Sequence, residues 1–166
     1  MVLAYLSAPI IHSALRKDDF CSTVIHVLER KGINVFAPQV LKESEPRLIF
    51  KRDVENVRLC DFLIAEVSSP SLGVGMEIML AIDLIKPVLL FHHTSSAPIS
   101  KMVVGADGKA LFEYPSLKEV AEKLHSLNLG NLIIQKCAVC DSQVAEVLED
   151  ESRCVACGSS NYGIMV

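Results

Sequence analysis

The residues best suited to chemistry follow a short apolar run in the middle of the chain. Phe62–Val67 leads into Ser68-Ser69-Pro70-Ser71, a loop with three hydroxyl groups, and then into Gly73 and Gly75. Glycines at such a place let the backbone turn tightly and come close to a ligand. A helix that starts here, over Gly75–Ile85, presents free N–H groups that favour an anionic group such as a phosphate. The glycine spacing by itself matches neither the dinucleotide fingerprint nor the P-loop.

Carboxylates and a phenol accompany this loop, and each has two interpretations. Glu77 falls in the first turn of the predicted helix, where it can act in chemistry or only complement the helix dipole. Asp53, on an upstream helix over Glu45–Leu59, is a second functional carboxylate or a solvated charge. Glu66 can face the same site or pair with a Lys or Arg at the sheet end. Tyr5 can place its hydroxyl in the crevice or pack in the core with that hydroxyl hydrogen-bonded.

Four cysteines near the end of the chain form a second chemical group. They are spaced as Cys137-x2-Cys140, thirteen residues, and Cys154-x2-Cys157. Two knuckles of this kind supply four thiolates to one tetrahedral zinc ion and leave no open position for a substrate. We therefore predict a structural zinc ribbon, with reduced cysteines, disulfides or an iron–sulfur cluster as alternatives. A module of about 35 residues cannot build a sizeable core, so the metal has to hold it together.

The elements that must position these groups come from residues 1–131, where short apolar runs alternate with amphipathic stretches. The predicted strands are Val2–Leu6, Ile33–Phe36, Phe62–Val67 and Val88–Phe91, and the predicted helices are Asp18–Lys31, Glu45–Leu59, Gly75–Ile85 and Ser116–Leu127. Continuous apolar strands that alternate with helices predict an α/β fold. We expect a parallel sheet flanked by helices on both faces, Rossmann-like or flavodoxin-like, plus a small C-terminal zinc ribbon. Ligands of such folds bind beyond the carboxyl ends of the strands.

Length, composition and charge limit the function further. The 166 residues are 51% hydrophobic and 22% charged, which excludes long disorder. A net charge of −4 argues against nucleic acid as a partner, since phosphate contacts need basic surface. No apolar run is long enough for a membrane span, and the first residues lack the basic start of a signal peptide. Together with the thiol pattern, this predicts a cytoplasmic protein with two parts: an α/β domain over residues 1–131 and the ribbon over residues 132–166.

Several stretches together resemble a known family. They are Tyr5-Leu6-Ser7-Ala8-Pro9-Ile10, then Asp53, then Ala65-Glu66-Val67-Ser68 with Pro70-Ser71-Leu72-Gly73-Val74-Gly75-Met76-Glu77, and finally the run from Ile99 to Ala106. This pattern resembles the nucleoside 2-deoxyribosyltransferase superfamily, and within it the 2′-deoxynucleoside 5′-phosphate N-hydrolases. The resemblance covers roughly residues 2–127 and does not include the cysteines.

The resemblance implies a role for each matching residue. Glu77 corresponds to the nucleophile that attacks the anomeric carbon, Asp53 to the acidic partner that protonates the departing base or activates water, and Tyr5 to the residue that orients the nucleophile. The residues implied in binding the substrate or its phosphate are Ser7, Ser71, Gly73, Gly75 and Ser100. In the family this last serine reaches the substrate of a neighbouring subunit, which implies a homodimer with shared active sites. The implied substrate is a nucleotide or nucleoside, and no cofactor is implied for catalysis.

The sequence leaves three functions open. The first is an N-glycosidase that cleaves the base–sugar bond of a (deoxy)nucleoside 5′-monophosphate through a retaining, carboxylate-nucleophile mechanism. The second is a deoxyribosyltransferase that exchanges bases, and the third is a nucleotide-binding or sensor module without catalysis. Retention of all three catalytic-type residues argues against the sensor.

Some positions depart from the family pattern. Pro9 and Ile11 stand where the phosphate-binding hydrolases carry Ser and Arg, which removes a bidentate phosphate donor. Nearby residues that could replace it are His12, Ser13, Arg16 and Lys17. Ser71 stands roughly where the transferases carry an Asp that handles the base. The resemblance says nothing of the ribbon, for which dimer stabilisation or a cover over the substrate cleft is the preferred interpretation.

Overall fold

The computed structural model of the protein describes residues 1–10, 13–41 and 45–161. Its parallel strands are β1 (Leu3–Ser7), β2 (Asn34–Phe36), β3 (Phe62–Glu66), β4 (Val88–His93) and β5 (Lys109–Tyr114). They form one sheet in the order β2-β1-β3-β4-β5. The helices are α1 (Asp18–Arg30), α2 (Pro46–Leu59), α3 (Leu72–Asp83), α4 (Lys101–Val104) and α5 (Leu117–Ser126). The predicted sheet with helices on both faces is confirmed.

The two faces of this sheet carry separate cores, because successive side chains of a strand point to opposite faces. On β3, Phe62 and Ile64 pack in one core together with α1 and α5. Leu63 and Ala65 pack in the other core, with Tyr5 and with Val74 of α3. All five side chains of β3 are buried, which explains the apolar run Phe62–Ala65 that precedes Glu66.

The start of α3 differs from the sequence prediction. The helix begins at Leu72 and not at Gly75, because Ser71 acts as its N-cap and accepts a hydrogen bond from the backbone N–H of Val74. Gly73 and Gly75 are therefore helical residues, and their predicted role in a tight turn is wrong. Glu77 consequently lies in the second turn of the helix and not in the first.

The last part of the chain adds a second, antiparallel sheet. Its strands are β6 (Leu132–Ile134), β7 (Val144–Leu148), β8 (Glu151–Cys154) and β9 (Ser160–Asn161), in chain order across the sheet. It packs beside the start of β5, where the Gln143 N–H donates to the Lys109 carbonyl at 2.8 Å. This end of the sheet is opposite to the carboxyl ends of the strands, so these contacts do not favour a cover over the substrate cleft of the same chain.

The described parts of the chain contain no helix that combines the length and apolar character needed to cross a membrane.

Candidate active site

A carboxylate held by two hydroxyl groups marks the carboxyl end of the sheet. The Tyr5 hydroxyl donates a hydrogen bond to Oε1 of Glu77 at 2.8 Å, and the Ser7 hydroxyl donates to Oε2. Tyr5 and Ser7 are two residues apart on β1, so both point to the same face of the sheet. That face is the one covered by α3, which carries Glu77. Strand alternation and helix position thus bring Tyr5 and Ser7 together with Glu77, which lies 70 or more positions farther along the chain.

The electrostatics of Glu77 combine two opposing effects. Burial raises its pKa above the usual range of a glutamate, and the negative charge of Asp53 raises it further. The hydrogen bonds from Ser7 and Tyr5 lower the pKa again, without cancelling the effect of burial. Burial and the adjacent Glu77 charge also raise the pKa of Tyr5 strongly, so its hydroxyl keeps its proton and remains a donor.

Asp53 lies on α2 beside this group. The Arg52 guanidinium donates to Oδ1 of Asp53 at 2.7 Å, and the Asp53 side chain is only 14% exposed. Arg52 also lies over the ring of Phe36 at 5.8 Å, and that ring lies 5.4 Å from the ring of Tyr5. Asp53 is close enough that its charge raises the pKa of both Tyr5 and Glu77. The structure therefore brings the three predicted catalytic residues together.

Arg52 and Phe36 are members of this cluster that the sequence analysis missed. The only available signals were that Arg52 precedes Asp53 in the chain and that Phe36 ends a predicted strand. Neither signal distinguishes a site residue from an ordinary helix charge or core ring.

The beginning of α3 lies one to two turns from Glu77. Gly73 and Gly75 are exposed there, and a side chain built on either would meet no atom within 4 Å. Because Ser71 is the N-cap of α3, its side chain and the backbone of the first helical turn both lie at the N-terminal end of the helix. The open space beside these residues allows a ligand to approach the N-terminus of α3 closely.

The other predicted binding residues are more scattered. Ser100 is exposed at the start of α4, and within the described residues no hydrogen bond joins its side chain to the group around Glu77. Pro9 is buried, and Ile11 and His12 lie outside the described residues. The guanidinium of Arg16 is paired with Asp18 at 2.8 Å, so the structure gives it a partner of its own.

The sequence model of the family described as nucleoside 2-deoxyribosyltransferase matches residues 4–111. The chain belongs to this family. The matched range contains Tyr5, Ser7, Asp53, Glu77 and Ser100, that is, the whole group around Glu77 and the predicted residue on α4.

Individual members of the nucleoside 2-deoxyribosyltransferase family are similar over most of the α/β part. A Thermofilum pendens protein named 2′-deoxynucleoside 5′-phosphate N-hydrolase 1 is 34% identical over 143 residues, which are 79% of this chain and 98% of that protein. The 5-hydroxymethyl-dUMP N-hydrolase of Danio rerio is 40% identical over 107 residues, or 58% of this chain and 74% of that enzyme. The solved CMP N-glycosidase of Clostridium botulinum has the same fold, with a TM-score of 0.59 and 23% identity over 74% of this chain and 97% of that chain.

The four cysteines lie outside the residues that the family model matches, and they form a compact group. Cys137, Cys140, Cys154 and Cys157 place their sulfur atoms within 4.8 Å of one another. Two pairs, Cys137 with Cys157 and Cys140 with Cys154, are 3.6 Å apart. That is too long for a disulfide and close to the sulfur spacing around a tetrahedral ion with bonds of about 2.3 Å. The donor set therefore fits a metal ion.

Proposed function

We propose that this protein hydrolyses the base–sugar bond of a (deoxy)nucleoside 5′-monophosphate. The observation that carries the proposal is the partly buried carboxylate of Glu77, which is held by Tyr5 and Ser7 beside a second carboxylate, Asp53. Glycosidic bond cleavage passes through an oxocarbenium-like transition state, for which such a carboxylate pair is the usual protein solution. Relatives named as 2′-deoxynucleoside 5′-phosphate N-hydrolase and 5-hydroxymethyl-dUMP N-hydrolase support water as the acceptor.

In the first step, one oxygen of Glu77 forms a bond to the anomeric carbon while the bond from that carbon to the base nitrogen breaks. The electron pair of the broken bond leaves with the base, which takes up a proton. Asp53 is proposed to supply that proton or, in the second step, to remove one from water. Water then attacks the anomeric carbon, releases the sugar 5-phosphate and restores the Glu77 carboxylate.

The substrate phosphate is proposed to bind at the N-terminus of α3. Ser71 offers a hydroxyl there, Gly73 and Gly75 leave open space beside the backbone, and a helix N-terminus favours an anion. Glu77 lies farther along the same helix, so one element would set the distance between the phosphate and the anomeric carbon. We propose that Ser7 acts mainly through its bond to Glu77, since its hydroxyl is already engaged there.

A homodimer is proposed to complete each active site. Large apolar side chains are exposed on α3 and α4, with 54% to 90% of their surface accessible: Leu72, Met76, Met79 and Met102. On α3, Leu72, Met76 and Met79 are four and three residues apart and therefore share one face of the helix. An exposed apolar helix face of this kind is typical of an interface, and methionine is common in interfaces. Ser100 starts α4, so a partner that covers this surface would meet it.

The cysteine group is proposed to bind zinc in a structural role. Four thiolate ligands in two C-x2-C knuckles are the usual zinc set, and they leave no free coordination position. All six cysteines are free, which supports the proposed cytoplasmic location. The division into an α/β domain over residues 1–131 and a ribbon over residues 132–166 is likewise proposed.

The function is tested with a panel of nucleosides and nucleoside 5′-monophosphates, each incubated with the purified protein with and without a second free base. Chromatography of the products should show free base and sugar 5-phosphate, and the Glu77→Gln variant should show neither. Exchange of bases would identify a transferase instead. Tight nucleotide binding without any turnover would support the sensor.

A further inference from the structure

A second buried carboxylate lies on the face of the sheet opposite to the active site. Glu66 ends β3 and is fully buried, and strand alternation directs it away from Glu77 and toward the α1 side. No Lys or Arg forms an ion pair with it among the described residues. Of the two predicted alternatives for Glu66, facing the active site is wrong, and pairing with a Lys or Arg is not seen among the described residues.

The partners of Glu66 come from its own loop and from the edge of the sheet. Its Oε1 accepts hydrogen bonds from the hydroxyls of Ser68 and Tyr114, the latter at 2.9 Å, and its Oε2 accepts the backbone N–H of Ser68 at 3.3 Å. The Ser68 hydroxyl in turn accepts the backbone N–H of His93 at 2.7 Å. The network thus joins the carboxyl ends of β3, β4 and β5.

The location of Ser68 gives this network a consequence for the active site. Ser68 is bound through both its backbone N–H and its hydroxyl, and it is only 7% exposed. Three residues later, Ser71 caps α3, the helix that carries Glu77 and the proposed phosphate site. A fixed conformation at Ser68 therefore fixes where the first turn of α3 begins.

We propose that Glu66 is a positioning residue for phosphate binding: it holds the loop between β3 and α3 so that Ser71 and the first turn of α3 meet the substrate phosphate. This inference rests on the proposed function and deepens it. Glu66 itself does not touch the substrate, because its side chain lies on the face of the sheet opposite to Glu77. It acts only through Ser68 and the loop that follows.

The test compares Glu66→Gln with the wild-type protein on one nucleoside 5′-monophosphate and on the same nucleoside without phosphate. An amide has one acceptor oxygen, so one of the donors that face Glu66 must meet an NH2 group instead. We expect KM for the monophosphate to rise about tenfold, the loss typical of a disturbed hydrogen bond to a charged group, with kcat little changed. The kinetic constants for the unphosphorylated nucleoside should stay as in the wild type.

Two further variants separate positioning from general destabilisation. Glu146→Gln removes an equally buried carboxylate, 1% exposed, that is bound to Arg153 in the cysteine-containing part. It should lower the melting temperature without changing the ratio of the two KM values. Tyr114→Phe keeps the ring that packs against Phe20 and removes only one donor to Glu66, so it should shift that ratio in the same direction as Glu66→Gln. If Glu66→Gln does not fold, Tyr114→Phe decides.

An unchanged KM ratio in both Glu66→Gln and Tyr114→Phe, in a wild-type background that hydrolyses the monophosphate, would overturn the positioning role and leave the proposed function intact. Absence of hydrolysis by the wild type would instead overturn the proposed function. In that case calorimetry measures the affinity of the wild type and of each variant for 2-deoxyribose 5-phosphate and for 2-deoxyribose. This compares the phosphate-dependent part of binding without any need for turnover. Weaker binding of the phosphate compound alone supports the inference, and equal binding by variant and wild type contradicts it.

Discussion

Glu77 combines two requirements that oppose each other. A buried carboxylate is poorly solvated and therefore a better nucleophile, but burial raises its pKa and favours the unreactive protonated form. The donors Tyr5 and Ser7 favour the ionised form and fix the direction of both oxygens. The raised pKa of Tyr5 keeps that donor protonated, so the hydroxyl can orient Glu77 throughout the working pH range.

Replacing Glu77 by Gln should abolish hydrolysis and stabilise the fold. Loss of the nucleophile should lower kcat by about 10³-fold or more. Because the folded-state pKa of Glu77 is raised, its ionisation destabilises the native protein as pH rises through that pKa, and an amide does not ionise. Thermal melts should show a higher Tm for Glu77→Gln at neutral pH and a smaller difference near pH ~4, below the usual glutamate pKa. Normal turnover would contradict the mechanism, and an equal Tm difference at both pH values would contradict the electrostatic account.

Replacing Ser7 by Ala should change the pH dependence of hydrolysis. The Ser7 hydrogen bond lowers the pKa of Glu77, so its removal should raise that pKa and leave less of the nucleophile ionised in acid. The acid limb of the kcat/KM profile should move to higher pH, with activity near pH ~5 reduced by about threefold or more relative to its own plateau. An acid limb that stays in place or moves to lower pH would show that Ser7 does not tune Glu77.

At the level of elements, α3 couples the two functional ends of the site. Ser71 accepts the Val74 N–H and begins the helix, and Glu77 follows within its second turn. Ser116 occupies the corresponding N-cap position of α5, but its hydroxyl donates to the Glu119 side chain and does not cap the backbone. The two serines are therefore a matched pair with different structural roles.

Ser71→Ala should both destabilise the protein and weaken phosphate binding, whereas Ser116→Ala should do neither to a comparable extent. Loss of an N-cap acceptor costs about 1 kcal/mol of unfolding free energy, and the proposed phosphate hydroxyl is lost with it. Denaturant melts should show that loss for Ser71→Ala, together with a KM for the monophosphate that rises about tenfold. Equal losses of unfolding free energy in the two variants would show that the Ser71 cap does not stabilise the fold more than Ser116 does. An unchanged KM would show that Ser71 does not contribute to the phosphate site.

The elements that sequence could predict are those with an unambiguous hydrophobic pattern. Most of a buried strand such as Phe62–Glu66 is an apolar run, here the first four residues, so its place was predictable. β5 (Lys109–Tyr114) was not predicted because the charged residues Lys109 and Glu113 interrupt its apolar pattern. Its burial does not alternate regularly either, since Lys109 and Ala110 are both buried and only Glu113 is exposed. The start of α3 was misplaced because Gly73 and Gly75 suggest a turn, while the Ser71 cap favours helix. The Glu66 network depends on His93 of β4 and Tyr114 of β5, which are distant in sequence. No local sequence pattern indicates that these residues meet Glu66.

For the whole molecule, the apolar surface of α3 and α4 determines the expected assembly. Met79 is 54% exposed on α3, and an aspartate there would introduce a charge into the proposed interface. Met79→Asp should shift the protein from dimer to monomer in sedimentation velocity and lower hydrolysis at the same time, because the proposed sites are shared. The control is Leu41→Asp, an exposed apolar residue beyond β2 and outside α3 and α4. A monomeric wild type, or a fully active monomeric variant, would contradict the shared site.

The cysteine-containing part is joined to the α/β part through a common core. Val144 and Val155 are fully buried and belong to the same cluster as Phe112 and Leu124. The Gln143 side chain adds polar contacts, since it accepts the Gly108 N–H and donates to Asp107, both at 3.0 Å. A metal ion bound by the four cysteines would therefore stabilise more than the two C-x2-C knuckles, because loss of this part would expose one side of the larger core.

Metal removal should consequently lower the stability of the whole protein in one cooperative transition. Cys154 is a buried member of the cluster, so Cys154→Ser should lose the ion and reduce the unfolding free energy by about 3 kcal/mol, or roughly 10 °C in Tm. Cys60→Ser is the matched control, because Cys60 is equally buried, lies far from the cluster in sequence and donates to the Val57 carbonyl, a bond that serine can keep. Elemental analysis should find one zinc per chain in the wild type and in Cys60→Ser. Two separate melting transitions, or a melting transition of the α/β part that chelation leaves unchanged, would show that the two parts unfold independently. Hydrolysis by Cys154→Ser below its melting temperature would agree with a structural role for the ion.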